Sequence, residues 1–254
     1  MTDLNAIAAR IDDAARYAEP IAQLTDDAGF SLDEAYEIQR VSIERRIHRG
    51  ESMVGVKLGF TSRAKMVQMG VDSLIWGWLT DCMLEEDGGR VSLDRFIHPR
   101  VEPEVCFLTG REIDRPLTLL EAASYLEAVA PAMEIIDSRY RNFKFTLEDV
   151  VADNCSSAGL VIGPWSRRFD TLRNAGVLMR VDGHAVQMGS TAAILGDPLR
   201  SVVQASRLIS QSGLVLPSGS LVMAGAATAA HTLPRGAHVQ CVVSGLGTTE
   251  FTTY

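Results

Sequence analysis

From Met53 to Thr252 the sequence breaks into short apolar runs divided by glycine- and proline-containing turns, and this punctuation limits the fold more than any other feature. The runs are Met53–Phe60, Val101–Leu108, Ala130–Ile136, Gly159–Ile162, Val177–Val181, Ala185–Met188, Leu221–Ala224, His238–Val243 and Thr248–Thr252, each of strand length. Asp182-Gly183 between two of them is a hairpin signal, and Pro217-Ser218-Gly219 and Pro234-Arg235-Gly236 are further turns. Helical patterns are few here. The capping box Thr118-Leu119-Leu120-Glu121 predicts a helix over Thr118–Val129, and Leu199–Gln211 reads as a helix stopped by Gly213. Many strands with few interspersed helices exclude a doubly wound sheet and predict an α+β fold on a curled, mixed, largely antiparallel sheet.

Residues 1–52 follow a different rule. Leu4, Ile7, Ala8, Ile11, Ala14 and Ala15 recur at helical spacing, and after the turn Asp26–Gly29 a second capping box, Ser31 to Glu34, opens a helix running to Gly50. The expected organisation is a helical N-terminal region over 1–52 followed by a mixed β-roll domain over 53–254.

With 254 residues, 46% of them hydrophobic, the chain can bury a core that holds charges inside it. The excess of 32 Asp and Glu over 24 Lys and Arg argues against nucleic acid or an anionic membrane as partner. The longest apolar stretches, such as Ser220–Ala230, fall short of the ~20 residues of a membrane span. Without the cationic start of a signal peptide, the expected location is cytoplasmic. Cys82, Cys106, Cys155 and Cys241 form no C-x-x-C pair and are expected to be reduced, mostly buried residues. The histidines are scattered without zinc-ligand spacing, so any bound metal would be held by oxygen.

Charges embedded in the apolar runs carry the functional information. In Val101-Glu102-Pro103-Glu104-Val105 the glutamates project from one strand face with Cα atoms ~6.5 Å apart, close enough to converge on one cation. Alternation alone also describes a strand with one wet face, and Pro103 suggests an edge. Glu134 interrupts Val129–Ile136, a run otherwise suited to burial, and an unpaired buried carboxylate costs several kcal/mol. It needs a proton, a metal, or an ion pair with an arginine such as Arg139. Lys57 sits among apolar and glycine neighbours in Val54–Phe60, either enclosed or on the wet face of an edge strand. Glutamate oxygens suit Mg²⁺ or Mn²⁺, and such an ion keeps open positions for a chelating 2-oxo acid.

Four segments together resemble the 2-keto-4-pentenoate hydratase and 4-oxalocrotonate decarboxylase family of the fumarylacetoacetate hydrolase superfamily. They are Val54–Ser62, the Glu-x-Glu strand after His98-Pro99-Arg100, Pro131–Arg139, and Val151–Ser157. The resemblance implies a rolled mixed β-structure, Mg²⁺ or Mn²⁺ held by Glu102, Glu104 and Glu134, and an active-site lysine at Lys57. It places Asp81 on a loop closing over the substrate, and Ser156, with Thr61 and Arg139, on the substrate side. It also implies homo-oligomers. Pro103 between the glutamates, Phe60 after the lysine strand, and Gly196 before Asp197-Pro198 depart from the family pattern.

Thr61–Val71 and Ile136–Phe145 look more like the decarboxylases than the hydratases. The implied reaction is loss of CO₂ from 2-oxo-3-hexenedioate (4-oxalocrotonate) to give 2-hydroxypenta-2,4-dienoate in meta-cleavage catabolism of aromatics, in possible complex with a hydratase of the same pathway. Lys57 is expected to stabilise the developing oxyanion or relay a proton, and Asp81 to act in proton transfer or closure. Arg63, Lys65, Arg139, Arg141 and Lys144 are the cations available for the second carboxylate. Hydration of 2-hydroxypentadienoate is the alternative activity. A non-catalytic organic-acid-binding subunit is more remote, because it has no need of charges in apolar strands.

Overall fold

The computed structural model describes residues 3–27, 29–62 and 74–254. Helix α1 (Leu4–Tyr17) starts where the Asp3 carboxylate accepts from the Ala6 N–H, and it turns Ile7, Ala8, Ile11 and Ala14 inward. Helix α2 (Leu32–His48) begins at the expected capping box, in which Ser31 and Glu34 each accept the other's backbone N–H. Buried Asp12 of α1 ties the pair together by accepting from Arg49 (2.6 Å to each oxygen) and from Arg45 (2.8 Å) of the α2 end.

The rest is sheet. The strands are β1 (Met53–Gly59), β2 (Ile75–Thr80), β3 (Leu84–Glu85), β4 (Arg90–Val91), β5 (Arg100–Thr109), β6 (Leu126–Ile136) and β7 (Ser157–Ile162). They continue with β8 (Gly176–Val181), β9 (His184–Ser190), β10 (Leu221–Met223), β11 (His231–Thr232), β12 (His238–Val243) and β13 (Gly247–Thr253). Helices α3 (Leu119–Ala122), α4 (Leu147–Ala152) and α5 (Leu199–Gln211) connect them. One sheet runs β2-β1-β10-β5-β6-β7-β3, with β11 also on β5; the other runs β4-β13-β12-β8-β9. The β1/β10, β3/β7 and β4/β13 pairs are parallel and the others antiparallel, which makes the mixed α+β architecture expected from the strand punctuation.

The period of two along each strand decides where the charges go. Val56 and Leu58 of β1, Val101, Val105 and Phe107 of β5, and Val129, Met133 and Ile135 of β6 enter one core with Val177, Met179, Val239 and Phe251 of the second sheet. Lys57, Glu102, Glu104 and Glu134 alternate with these residues and therefore leave the same strands on the opposite face. A second apolar cluster joins Ile7 and Ile11 of α1, Ala35 and Ile38 of α2, and Val150 and Val151 of α4, packing the N-terminal helices onto the flank of the first sheet.

Two local expectations are corrected. The helix expected over Thr118–Val129 is only α3 plus a 3-10 turn at Ala123–Tyr125, and from Leu126 the chain is β6. Pairing with ten residues of β5 there outweighs helical propensity. Pro103 is not on an edge strand, because β5 lies between β10 and β6. Its carbonyl accepts from the Ala227 N–H, so its missing donor points into the gap between β10 and β11, where no ladder hydrogen bond is lost.

Candidate active site

Register brings the embedded charges together. Glu102 and Glu134 lie directly opposite on β5 and β6, Glu104 follows two residues on, and Lys57 enters from β1. One oxygen from each glutamate lies within 4.8 Å of the others. All are buried: Glu102 is 6% exposed, Glu104 1%, Glu134 0% and Lys57 4%. The wet-face readings of both strands are thereby overturned, since β1 and β5 are interior strands and this face is covered. Like charges directly opposite destabilise a sheet, so the arrangement calls for positive charge at its centre. Part of it is Lys57, whose Nζ lies 3.1 Å from Glu134 Oε2. Glu134 thus pairs with Lys57 and not with Arg139.

Neighbours hold each carboxylate in place. The Ser157 hydroxyl donates to Glu134 Oε1 at 2.9 Å, and the Gly225 N–H donates to Glu104 Oε2 at 2.8 Å. Gly225 has φ +102°, and a Cβ there would stand 2.1 Å from the Thr61 hydroxyl oxygen, so only glycine fits between Thr61 and Glu104. Burial pushes Glu104 well above the usual carboxylate range, and the Glu134 charge adds to it. Burial raises Glu134 too, against the pull of Lys57. Burial works against the Lys57 charge, but Glu134, Glu104 and Glu102 overcome it and hold the ammonium protonated. Three hard-oxygen donors in one buried cluster fit Mg²⁺ or Mn²⁺, whose charge would replace the protons that burial otherwise favours.

Ser157 is delivered by an unusual turn. Asn154, Cys155 and Ser156 all have positive φ (48°, 53° and 59°), a run that non-glycine residues adopt only when held. The Asn154 side chain holds it, accepting from the Trp78 N–H (2.7 Å) and donating to the Trp78 carbonyl (2.9 Å). Gly77 gives the room, since a Cβ there would lie 2.7 Å from the Asn154 carbonyl oxygen. Ser156 is buried and its Oγ has no hydrogen-bond partner among the described residues beside Ser157. Sequence reasoning missed Ser157, Gly225 and Asn154. The Asn154-Cys155-Ser156-Ser157 run and a glycine ending an apolar strand were the available signals.

A cavity of about 730 Å³ opens beside Glu102. Arg100 and Lys144 are the cationic side chains among its described lining residues, with Phe60, Phe143 and Phe145 as its aromatic wall. Arg100 leaves β5 on the face of Glu102, two residues away, and its guanidinium lies 4.1 Å from the Phe143 ring centroid. Asn142 and Phe143 both have positive φ (60° and 57°), which turns the loop back over β5.

Two other sequence-derived candidates are placed elsewhere. Arg139 does not line this cavity; its guanidinium binds the Asp153 carboxylate and the carbonyls of Asp153 and Ser157. Asp81 is exposed in the 3-10 turn after β2, and its carboxylate accepts from the Ser52 and Cys82 N–H groups (2.9 Å each). Lys57 pairs with Gly77, so Asp81, just past the end of β2, is four residues from the lysine's partner, roughly 13 Å at strand rise. Arg141 lines neither this cavity nor the metal-ligand cluster, and Arg63 and Lys65 lie outside the described residues.

The fumarylacetoacetate hydrolase C-terminal family model matches residues 55–253, the stretch that carries Lys57 and the three glutamates. The chain belongs to this family. Among curated proteins it is 53% identical over 250 residues to a 4-oxalocrotonate decarboxylase of a Pseudomonas species, with 98% of each chain covered. It is 36% identical to a 2-keto-4-pentenoate hydratase of Paraburkholderia xenovorans, covering 94% of this chain and 91% of that one. A solved family structure, 4-oxalocrotonate decarboxylase from Pseudomonas putida G7 complexed with magnesium and adipate, superposes with TM-score 0.96 at 35% identity, covering 100% of this chain and 99% of that one. Among the described residues no helix is long and apolar enough to cross a membrane.

Proposed function

We propose that this protein is a metal-dependent decarboxylase that converts 4-oxalocrotonate to 2-hydroxypenta-2,4-dienoate and CO₂ in the meta-cleavage catabolism of aromatics. The observation that carries the reading is the convergence of Glu102, Glu104 and Glu134 beside a buried Lys57 in a chain 53% identical to a 4-oxalocrotonate decarboxylase. The magnesium and adipate of the related structure support a divalent cation and a six-carbon dicarboxylate. Its assembly is proposed to be a homo-oligomer, in partnership with the hydratase that consumes its product.

The three glutamates hold the cation, which when bound supplies Lewis-acid polarisation of a 2-oxo carbonyl. The chain's own residues do the rest. Lys57 keeps a full positive charge in a dry site, where it stabilises the oxyanion that forms as the carbon–carbon bond to CO₂ breaks and its electrons pass through the alkene to the carbonyl oxygen. The Ser156 hydroxyl, without a partner among the described residues, donates to the proximal carboxylate. Arg100, which sequence reasoning did not offer, binds the distal carboxylate before it leaves, together with Lys144, one of the five cations that it did.

Purified protein with Mg²⁺ and 4-oxalocrotonate is expected to release CO₂ stoichiometrically with the dienol. Turnover of 2-hydroxypentadienoate without CO₂ release would make it a hydratase instead. Arg100→Gln is expected to raise KM for 4-oxalocrotonate about tenfold or more, the scale of one hydrogen bond to a charged group, with a smaller change in kcat. An unchanged KM would remove Arg100 from substrate binding.

A further inference from the structure

Where α1 and α2 meet the sheet, a second cavity of about 230 Å³ shares no lining residue with the substrate cavity. Its walls carry Arg16 from α1, Arg46 from α2 and Arg139 from the segment after β6, together with Arg49 and Arg95. The carboxylates in the same walls are already engaged. Asp12 accepts from Arg45 and Arg49, both Asp137 oxygens accept from the Ile97 and His98 N–H groups (2.8 Å each), and Glu51 accepts from the Thr80 hydroxyl (2.6 Å).

The arginines are not all engaged in return. Arg139 is bound to Asp153, Arg49 to Asp12 and Arg95 to Glu85. Arg46 is different: its side chain is 17% exposed, and its nearest carboxylate oxygen, on Glu51, is 3.8 Å away, beyond hydrogen-bond range. Its fork of N–H donors lines the cavity with Glu51 as a loose ion-pair partner and, among the described residues, no acceptor within hydrogen-bond range. Burial and the neighbouring Arg139 charge both push Arg46 below its ordinary range, so a nearby negative charge would relieve it. Arg16 lies 5.2 Å over the ring of Tyr17 and makes no ion pair among the described residues.

We propose that this cavity is a binding site for a small tetrahedral oxyanion of the phosphate class, held by Arg46 and Arg16, with the positive charge of the Asp153-bound Arg139 beside it. Guanidiniums approaching from two separate helices suit an ion whose oxygens point in several directions better than a planar carboxylate offering one edge. The cavity is below the ~300–1,000 Å³ of drug-sized ligand sites and fits a small ion.

Calorimetric titration of the Mg²⁺-loaded protein with inorganic phosphate, at ionic strength held constant with chloride, tests this. Saturable binding of one phosphate per chain is expected, weakened at least tenfold in Arg46→Gln and several-fold in Arg16→Gln, with decarboxylation of 4-oxalocrotonate unchanged in both variants without phosphate. Arg16 is exposed, so its variant gives the reading even if Arg46→Gln fails to fold. A parallel titration with glycerol 3-phosphate separates the sources: binding of both ligands points to a phosphoryl group carried by a metabolite, and binding of phosphate alone points to the free ion. Absence of saturable phosphate binding, or equal affinity in wild type and both variants, overturns the proposal.

Discussion

Gly225 shows how one backbone position governs a ligand it does not contain. Its N–H donates to Glu104, and its α-carbon is pressed against the Thr61 side chain in a conformation that favours glycine. Gly225→Ala must either move Thr61 or swing the N–H away from Glu104. The expected outcome is a 10–100-fold loss of Mg²⁺ affinity, the scale seen for groups that orient metal ligands, measured by titration calorimetry. Ser157→Ala is expected to act more gently, near the lower end of that range, because Glu134 keeps Lys57 as partner. Unchanged affinity in both variants would show that the carboxylates hold their geometry without these donors. The side chains of this residue scale were visible in the sequence only where they broke a pattern. Glu102, Glu104, Glu134 and Lys57 stand out because each interrupts an apolar run. Arg139 was assigned to the substrate side because its true partner, Asp153, sits fourteen residues away, and that pairing is set by a turn the sequence does not announce.

At the scale of elements, the α1–α2 pair depends on the Asp12 clamp. Burial opposes the charge on Asp12, but hydrogen bonds from Arg49 and Arg45 outweigh it and hold the carboxyl below the usual range. A carboxylate lowered in the folded state stabilises the fold above its unfolded pKa, and that contribution disappears as pH falls through the folded value. Helix α1 should therefore loosen from α2 below about pH 4, the ordinary carboxylate range. Asp12→Asn should lose thermal stability at pH 7, and its gap to wild type should narrow as pH falls below about 4; a gap that stays constant as the pH falls would assign the effect to packing instead. Helices like these were legible in the sequence because a 3.6-residue period runs through α1 and a capping box opens α2, and α5 runs over the expected Leu199–Gln211. β2 was not legible. Its residues Ile75–Thr80 are buried on both faces, so they show no alternation, and the two-residue strands β3, β4 and β11 exist only because longer neighbours offer them a ladder.

For the whole molecule, the site and the fold's stability are in opposition until a cation arrives. Glu102, Glu104 and Glu134 place buried negative charge on adjacent strands with one lysine to offset it, and the two strands cannot separate to relieve it because their other face is locked in the core between the sheets. A divalent cation binding the folded state but not the unfolded chain adds ~2.7 kcal/mol of stability at a hundredfold excess over its Kd. At roughly 2–4 °C per kcal/mol for a chain of this size, chelation with EDTA should lower Tm by roughly 5–10 °C. Glu104→Gln separates the two roles of the carboxylate. It removes a carboxyl whose charged form burial disfavours, so the metal-free variant should melt at or above the metal-free wild type, while the Mg²⁺-induced rise disappears. Differential scanning calorimetry with and without Mg²⁺ reads both quantities at once. A variant that kept the full Mg²⁺-induced rise would place the cation away from this triad, and one that melted well below the metal-free wild type would mean that Glu104 serves the fold more than the metal.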